Sequence, residues 1–189
     1  MKKVNILIVD DEALIREGLR SLLEKEVFVA GIFEAGDAIQ FHEQIALGRI
    51  DVILLDIRLR DTMGVELLDT IKKLEPRPKV IAVTGMEGVE LMINLLKGGV
   101  DGIVYKLDGY KEIRKTITSI LTSGNYFSQK ILKIIQSNAK AWEHIPTVVL
   151  TQQELNILRA IARGAITKEI ANELRMAETT AETYRMRLI

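Results

Sequence analysis

The chain has 189 residues, 48% of them hydrophobic and 28% charged, which suits one or two globular domains. Lysine plus arginine and aspartate plus glutamate balance at 26 each, so no whole-chain field draws it to nucleic acid or to a membrane surface. Cysteine is absent, which excludes disulfides, thiolate catalysis and thiolate metal sites.

No apolar run approaches the roughly 20 residues needed to span a bilayer. The apolar stretch from Val4 also meets Asp10 too soon for a signal-peptide core. The expectation is a cytoplasmic protein with no membrane partner.

In chain order, residues 6–9 read as an apolar strand running into Asp10, Asp11 and Glu12. Residues 13–25 follow as an amphipathic helix with Leu14, Ile15, Leu19, Leu22 and Leu23 on its inner face. Residues 27–35 are strand-like, and 36–47 form a helix closed by Gly48. Val52, Ile53, Leu54 and Leu55 make a continuous β-favouring run, as in a strand buried on both faces, and the run ends on Asp56. A loop over 58–63 leads to a helix over 64–74, stopped by Pro76 and Pro78. Then come a strand at 80–84, a helix at 87–97 ended by Gly98 and Gly99, a strand at 102–106 and a helix at 110–122.

Five strands alternating with five helices imply a parallel, doubly wound sheet with right-handed crossovers. The carboxyl ends of its strands share one edge, where ligands gather in open α/β sheets. Asp10, Asp11, Asp56, Thr84 and Lys106 all fall at strand ends and are expected to converge there. The first strand–helix turn offers carboxylates instead of the glycines and bare amides that cradle a phosphate. Three carboxylates without histidine or cysteine describe a hard oxygen site, and Mg²⁺ fits it best. An acidic helix start favoured by the macrodipole is the alternative. A carboxylate nucleophile, a Mg²⁺ site, a hydroxyl and an ammonium together suggest phosphoryl transfer onto Asp56. A lysine about 4 Å from a phosphate contributes roughly 4 kcal/mol at an effective dielectric near 20.

Residues 1–122 resemble the receiver domain of bacterial two-component response regulators. The matching stretches are VDDE at 9–12, LLDIRL at 54–59, VTG at 83–85 and DGIVYK at 101–106. The resemblance implies a flavodoxin-like receiver in which Asp56 accepts a phosphoryl group from a sensor histidine kinase. It implies that Asp10, Asp11, Asp56 and the Arg58 carbonyl hold Mg²⁺, and that Thr84 and Lys106 are the phosphate-sensing hydroxyl and ammonium. Leu59-Arg60 stands where the family commonly has Met-Pro, so the loop after Asp56 lacks its usual rigid turn. The family's aromatic switch position, three before the lysine, is Ile103. Tyr105 is next to the lysine and is expected on the other face of the strand, which leaves gating coupled to Thr84 without its usual residue.

Residues 123–147 read as a linker with a short helix at 128–137; Trp142 and His144 in it suit packing better than chemistry. Thr151 and Glu154 form a capping box for a helix through Arg163, with Leu155, Leu158 and Ile161 inward. Thr167 can cap the next helix, 168–175, with Ile170, Ala171 and Leu174 inward, and a third helix starts near Glu178. Short helices joined by tight turns read as helix-turn-helix, with a small bundle that meets no nucleic acid as the alternative. The tail from Ile145 holds six basic and five acidic residues, so its charge does not decide between them.

LTQQELNILRAIARG, TKEIANEL and TTAETYRMRL resemble the LuxR-type DNA-binding domain of the NarL/FixJ class. That resemblance implies an all-α domain at 148–189 that binds operator DNA, as a homodimer once phosphorylated. Lys168, Arg185 and Arg187 would meet phosphates, and Thr179, Thr180 and Thr183 would face base edges. Ala177 stands where a capping Ser is usual, and Ala181 where Val is usual. The sequence stops at Ile189, partway along the third helix, so weak operator binding is expected of these residues alone.

Taken together, the expected protein is a transcription regulator switched by phosphorylation and not an enzyme. A receiver whose output region acts through protein contacts is the runner-up. An Asp-nucleophile phosphohydrolase is disfavoured, because those enzymes need Asp-x-Asp and this chain has Asp56-Ile57-Arg58.

Overall fold

The computed structural model describes residues 3–60, 63–137 and 152–188. The chain divides into two compact units, Met1–Glu143 and His144–Ile189. In the first, strands β1 (Val4–Val9), β2 (Val29–Ala35), β3 (Val52–Asp56), β4 (Lys79–Thr84), β5 (Gly102–Tyr105) and β6 (Tyr126–Phe127) alternate with helices. These are α1 (Ala13–Leu23), α2 (Ala38–Ala46), α3 (Gly64–Ile71), α4 (Val89–Lys97), α5 (Gly109–Ser123) and α6 (Gln129–Ser137). The sheet runs β2-β1-β3-β4-β5-β6, and every pairing is parallel.

The apolar runs read as strands because both faces of the sheet are covered. On one face Leu7, Ile53, Leu55, Ala82 and Ile103 pack with Phe41, Leu67, Leu68, Met92 and Leu95 from α2, α3 and α4. On the other, Ile6, Ile8, Leu54, Ile81 and Val104 pack with Leu19 and Leu23 of α1 and Ile113, Ile117 and Ile120 of α5. The chain leaves β1 and β3 toward opposite faces, which opens a crevice beyond their carboxyl ends at the switch point of the strand order.

Some expectations about helix faces and boundaries change. In α1, Leu19 and Leu23 are buried, but Leu14 is 79% exposed and Leu22 39%. At about 100° per residue, Leu14 lies more than a third of a turn from the line through Leu19 and Leu23. The expected linker also contributes to the first unit. Tyr126 and Phe127 add a sixth strand beside Gly102 and Ile103, and Ile131 of α6 enters the core. Ser128 opens α6, its carbonyl accepting from Leu132 N–H at 2.9 Å.

The second unit holds α7 (Gln152–Ala162), α8 (Thr167–Glu173) and α9 (Glu178–Leu188). Its core is Ile157, Ala160, Ile170, Ala171 and Ala181, with Ile161, Leu174 and Tyr184 partly buried against it. Leu158, expected inward, is only partly buried; the inner line of α7 runs through Ile157 and Ala160 instead. Thr167 lies inside α8, and Ile166 holds the capping position, its N–H donating to the Glu169 carboxylate at 2.9 Å. Trp142, His144, Thr151 and the Leu155 side chain lie outside the described residues.

Candidate phosphoryl-acceptor site

Each polar member of the site is delivered by a strand end. β1 hands over Asp10 and Asp11, β3 ends on Asp56, β4 on Thr84, and Lys106 opens a single 3-10 turn after β5. Asp10 and Asp56 are 2% and 4% exposed, although the strands that deliver them are mostly apolar. Carboxylate oxygens of Asp10, Asp11 and Asp56 lie within 4.8 Å of one another. Together with Arg58, Arg60, Gly85 and Met86, the acidic edge lines an open crevice.

One cation serves several anions here. The Lys106 ammonium lies 2.8 Å from Asp56, 2.9 Å from Asp10 and 3.0 Å from Glu12. Burial pulls its proton affinity down, but hydrogen bonds to Asp10, Asp56 and Glu12 outweigh that and hold it above its ordinary value. The Asp10 carboxyl is pushed up, chiefly by burial, while the Lys106 bond and the Glu12 N–H (2.9 Å) pull it down. A crowd of carboxylates with one ammonium is short of positive charge, and uncompensated buried charge is costly. The donor set is all oxygen and accommodates a hard divalent cation such as Mg²⁺.

The loop after Asp56 is held without Met-Pro. Arg58 N–H donates to Asp56 Oδ1 at 3.0 Å, Leu59 is buried, and Arg58 pairs with Met63 in an isolated antiparallel bridge. Gly64 N–H donates to the Ile57 carbonyl at 2.9 Å. A Cβ at Gly64 would collide with the Asp56 carbonyl oxygen and sit 3.0 Å from Ile57 Cα. Gly64 is therefore a positioning residue that sequence reading missed. Its only signal was a glycine opening a helical pattern. Glu12 was likewise read only as part of the acidic turn, not as a partner of Lys106.

Thr84 is 1% exposed, and its Oγ accepts from Met86 N–H at 3.0 Å. Tyr105 does face away from Lys106, but that side is the one Ile103 occupies, since residues two apart share a face. Tyr105 therefore packs on the side of Ile103, and its backbone pairs with Thr84 across β4 and β5.

In the helical unit, Lys168, Thr179, Thr180 and Thr183 are exposed, and Thr179, Thr180, Thr183 and Tyr184 line a shallow depression. The Thr183 hydroxyl donates to the Thr179 carbonyl at 2.8 Å. Arg185 is half-buried, with one guanidinium nitrogen donating to the Ala165 carbonyl at 3.3 Å. The Arg187 side chain lies outside the described residues. No described helix is long and apolar enough to cross a membrane.

Comparison with known proteins agrees with this geometry. Residues 6–118 match the response regulator receiver domain, and residues 148–189 match the bacterial regulatory proteins of the luxR family. The nitrate/nitrite response regulator protein NarP of Escherichia coli is 28% identical over 180 residues, covering 95% of this chain and 84% of that protein. The response regulator protein VraR of Staphylococcus saprophyticus is also 28% identical, over 184 residues, covering 96% and 86%. Among solved structures, RcsB from Salmonella enterica serovar Typhimurium superposes with a TM-score of 0.68 at 19% identity, covering 99% of this chain and 90% of that one. The carboxylate edge of a doubly wound sheet, followed by three short helices, thus places the chain among the transcriptional response regulators of the NarL/FixJ class, in which a receiver domain is joined to a LuxR-type DNA-binding domain.

Proposed function

We propose that Asp56 is the phosphoryl acceptor, that a sensor histidine kinase is the donor, and that phosphorylation promotes operator binding by a homodimer in the cytoplasm. The observation that carries this reading is the cluster of Asp10, Asp11 and Asp56 oxygens with the Lys106 ammonium 2.8 Å from Asp56. An Asp56 carboxylate oxygen forms the new bond to phosphorus as the bond from phosphorus to the donor's imidazole nitrogen breaks. The electron pair leaves with that nitrogen. Mg²⁺, held by Asp10, Asp11, Asp56 and the Arg58 carbonyl, would neutralise phosphoryl oxygens and so supply electrostatic stabilisation.

Lys106 stabilises the same oxygens by charge and, freed in part from Asp10 and Glu12, follows the phosphoryl group. Thr84 Oγ–H donates to it, an interaction of about 1 to 3 kcal/mol with a charged acceptor. In the helical unit, Lys168, Arg185 and Arg187 meet DNA phosphates, while Thr179, Thr180 and Thr183 face base edges. A guanidinium has five donors, so the bond from Arg185 to Ala165 leaves others for a phosphate. RcsB, the structural neighbour, is described bound to a promoter in the presence of the phosphomimetic beryllofluoride, which supports the same order of events here.

The test is uptake of beryllofluoride, or of phosphate from acetyl phosphate, with Mg²⁺. Asp56→Asn should abolish uptake, and equal incorporation by that variant would sink the assignment. Asp11→Ala should weaken Mg²⁺ binding more than Glu12→Ala, because Glu12 is directed to Lys106 and is 62% exposed. The reverse ranking would move the metal onto Glu12.

A further inference from the structure

α6 lies against the face formed by α4 and β5. Ile131 is 1% exposed within the cluster that contains Met92, Leu95, Ile103 and Tyr105, and Ile134 and Ile135 pack beside it. Next to Ile131, the Lys130 ammonium sits 4.2 Å from the centroid of the Tyr105 ring and 3.4 Å from Glu87 Oε1. Burial keeps the Tyr105 phenol above its ordinary value, so the ring that Lys130 covers stays neutral.

Both anchors of Lys130 adjoin the end of β4 that carries Thr84. Tyr105 is the register partner of Thr84 on the neighbouring strand, and Glu87 lies between Met86 and Gly88 in the loop that follows Thr84. Met86 N–H is the donor that Thr84 Oγ accepts. A Thr84 hydroxyl that moves toward an anionic group on Asp56 would stretch the bond it accepts from Met86 N–H, the tether of the loop that carries Glu87.

We propose that Lys130 is a clasp that keeps α6 docked on the α4–β5 face, and that an acyl phosphate at Asp56 opens it through the Thr84–Glu87 loop. The proposal rests on Asp56 being the acceptor. Opening exposes Tyr105 and Ile131. The interactions are few and partly exposed, with Lys130 and Glu87 at 54% and 69% exposure, so the clasp is reversible. That suits a switch.

Amide hydrogen exchange on peptides covering residues 129–137 of the full chain tests it, with fluorine NMR reporting bound beryllofluoride independently. Saturating beryllofluoride and Mg²⁺ should speed α6 exchange about three- to tenfold, the range expected for losing one surface ion pair and one cation–π contact. Lys130→Met, which keeps the apolar stem, should speed it similarly without beryllofluoride and respond less than about twofold to its addition. Peptides from β1 and β3 serve as controls for global unfolding and should not change in Lys130→Met. Unchanged α6 exchange while fluorine signals show saturation would overturn the proposal, as would unchanged exchange in Lys130→Met. A lack of bound fluorine signals would instead count against Asp56 as acceptor, and the Lys130→Met arm would still decide whether the clasp exists.

Discussion

The two units solve burial differently. The first covers both faces of a sheet with large side chains: Ile6, Leu7, Ile53, Leu54, Leu55 and Ile81 are all at most 1% exposed. Among the described residues, the second closes three helices around Ile157 and Ile170, with alanines at the other buried positions. Alanine lets helices approach closely but removes little apolar area from water, and hydrophobic stabilisation follows that area at about 25 cal/mol per Å². The difference teaches where charge chemistry can be sited. Burying Asp10 and Asp56 is costly, and among the described residues only the unit with two dense cores carries such groups in its interior. In the helical unit Lys168, Thr179, Thr180 and Thr183, proposed to meet DNA, are exposed.

Core truncation should sharpen that contrast most. Leu54→Ala removes a fully packed side chain between β3 and the α1–α5 face and should cost about 3 to 5 kcal/mol. In calorimetry the transition of the first unit should fall by roughly 10 °C or more, while that of the second stays within about 1 °C. Ile170→Ala should do the converse. A variant that lowers both transitions equally would show that the units unfold as one.

A smaller effect tests how marginal the helical unit is. Ala177 precedes α9, and its carbonyl accepts from Thr180 and Ala181 N–H, both at 3.0 Å, but its side chain has no capping oxygen. Ala177→Ser should stabilise this unit by about 1 kcal/mol, raising its midpoint by roughly 5 °C. No gain would mean that α9 is not limited by its first turn.

An effect of similar free energy, but a smaller shift in midpoint because the unit is larger, concerns a polar tie in the first unit. The Tyr110 hydroxyl donates to Glu26 Oε1 at 3.1 Å, and Arg114 Nε donates to the same oxygen at 2.6 Å, linking α5 to the end of α1. Burial first, then the Glu26 carboxylate, push the Tyr110 phenol up to about 12. A phenol that binds its proton more tightly when folded stabilises fully below its unfolded value, about 10. The contribution is lost as pH rises through about 12. Tyr110→Phe should therefore cost about 1 kcal/mol at neutral pH, and the difference from the parent should shrink between those values in urea titrations. A difference that grows with pH would assign the stabilisation elsewhere.

The alternation of apolar runs and amphipathic stretches was enough to read the parallel sheet, because buried parallel strands must be apolar on both faces. It also marked the strand ends and, with them, Asp10, Asp11, Asp56, Thr84 and Lys106. The inner line of a helix was less legible. In α1 and α7 apolar residues are denser than the inner face needs, so Leu14 and Leu158 looked as eligible as Leu19 and Ile157.

What only the tertiary structure decided were contacts between residues far apart in the chain. The sharing of Lys106 among Asp10, Glu12 and Asp56, the space that allows only glycine at 64, and the docking of Lys130 on Tyr105 and Glu87 have no local periodicity to announce them. Local sequence determines which face and which end of an element a side chain occupies, because dihedral preferences and side-chain period are local. Which partner it meets there depends on how separate elements pack. That packing turned a row of strand ends into a site and set a supposed linker helix against the core of the first unit.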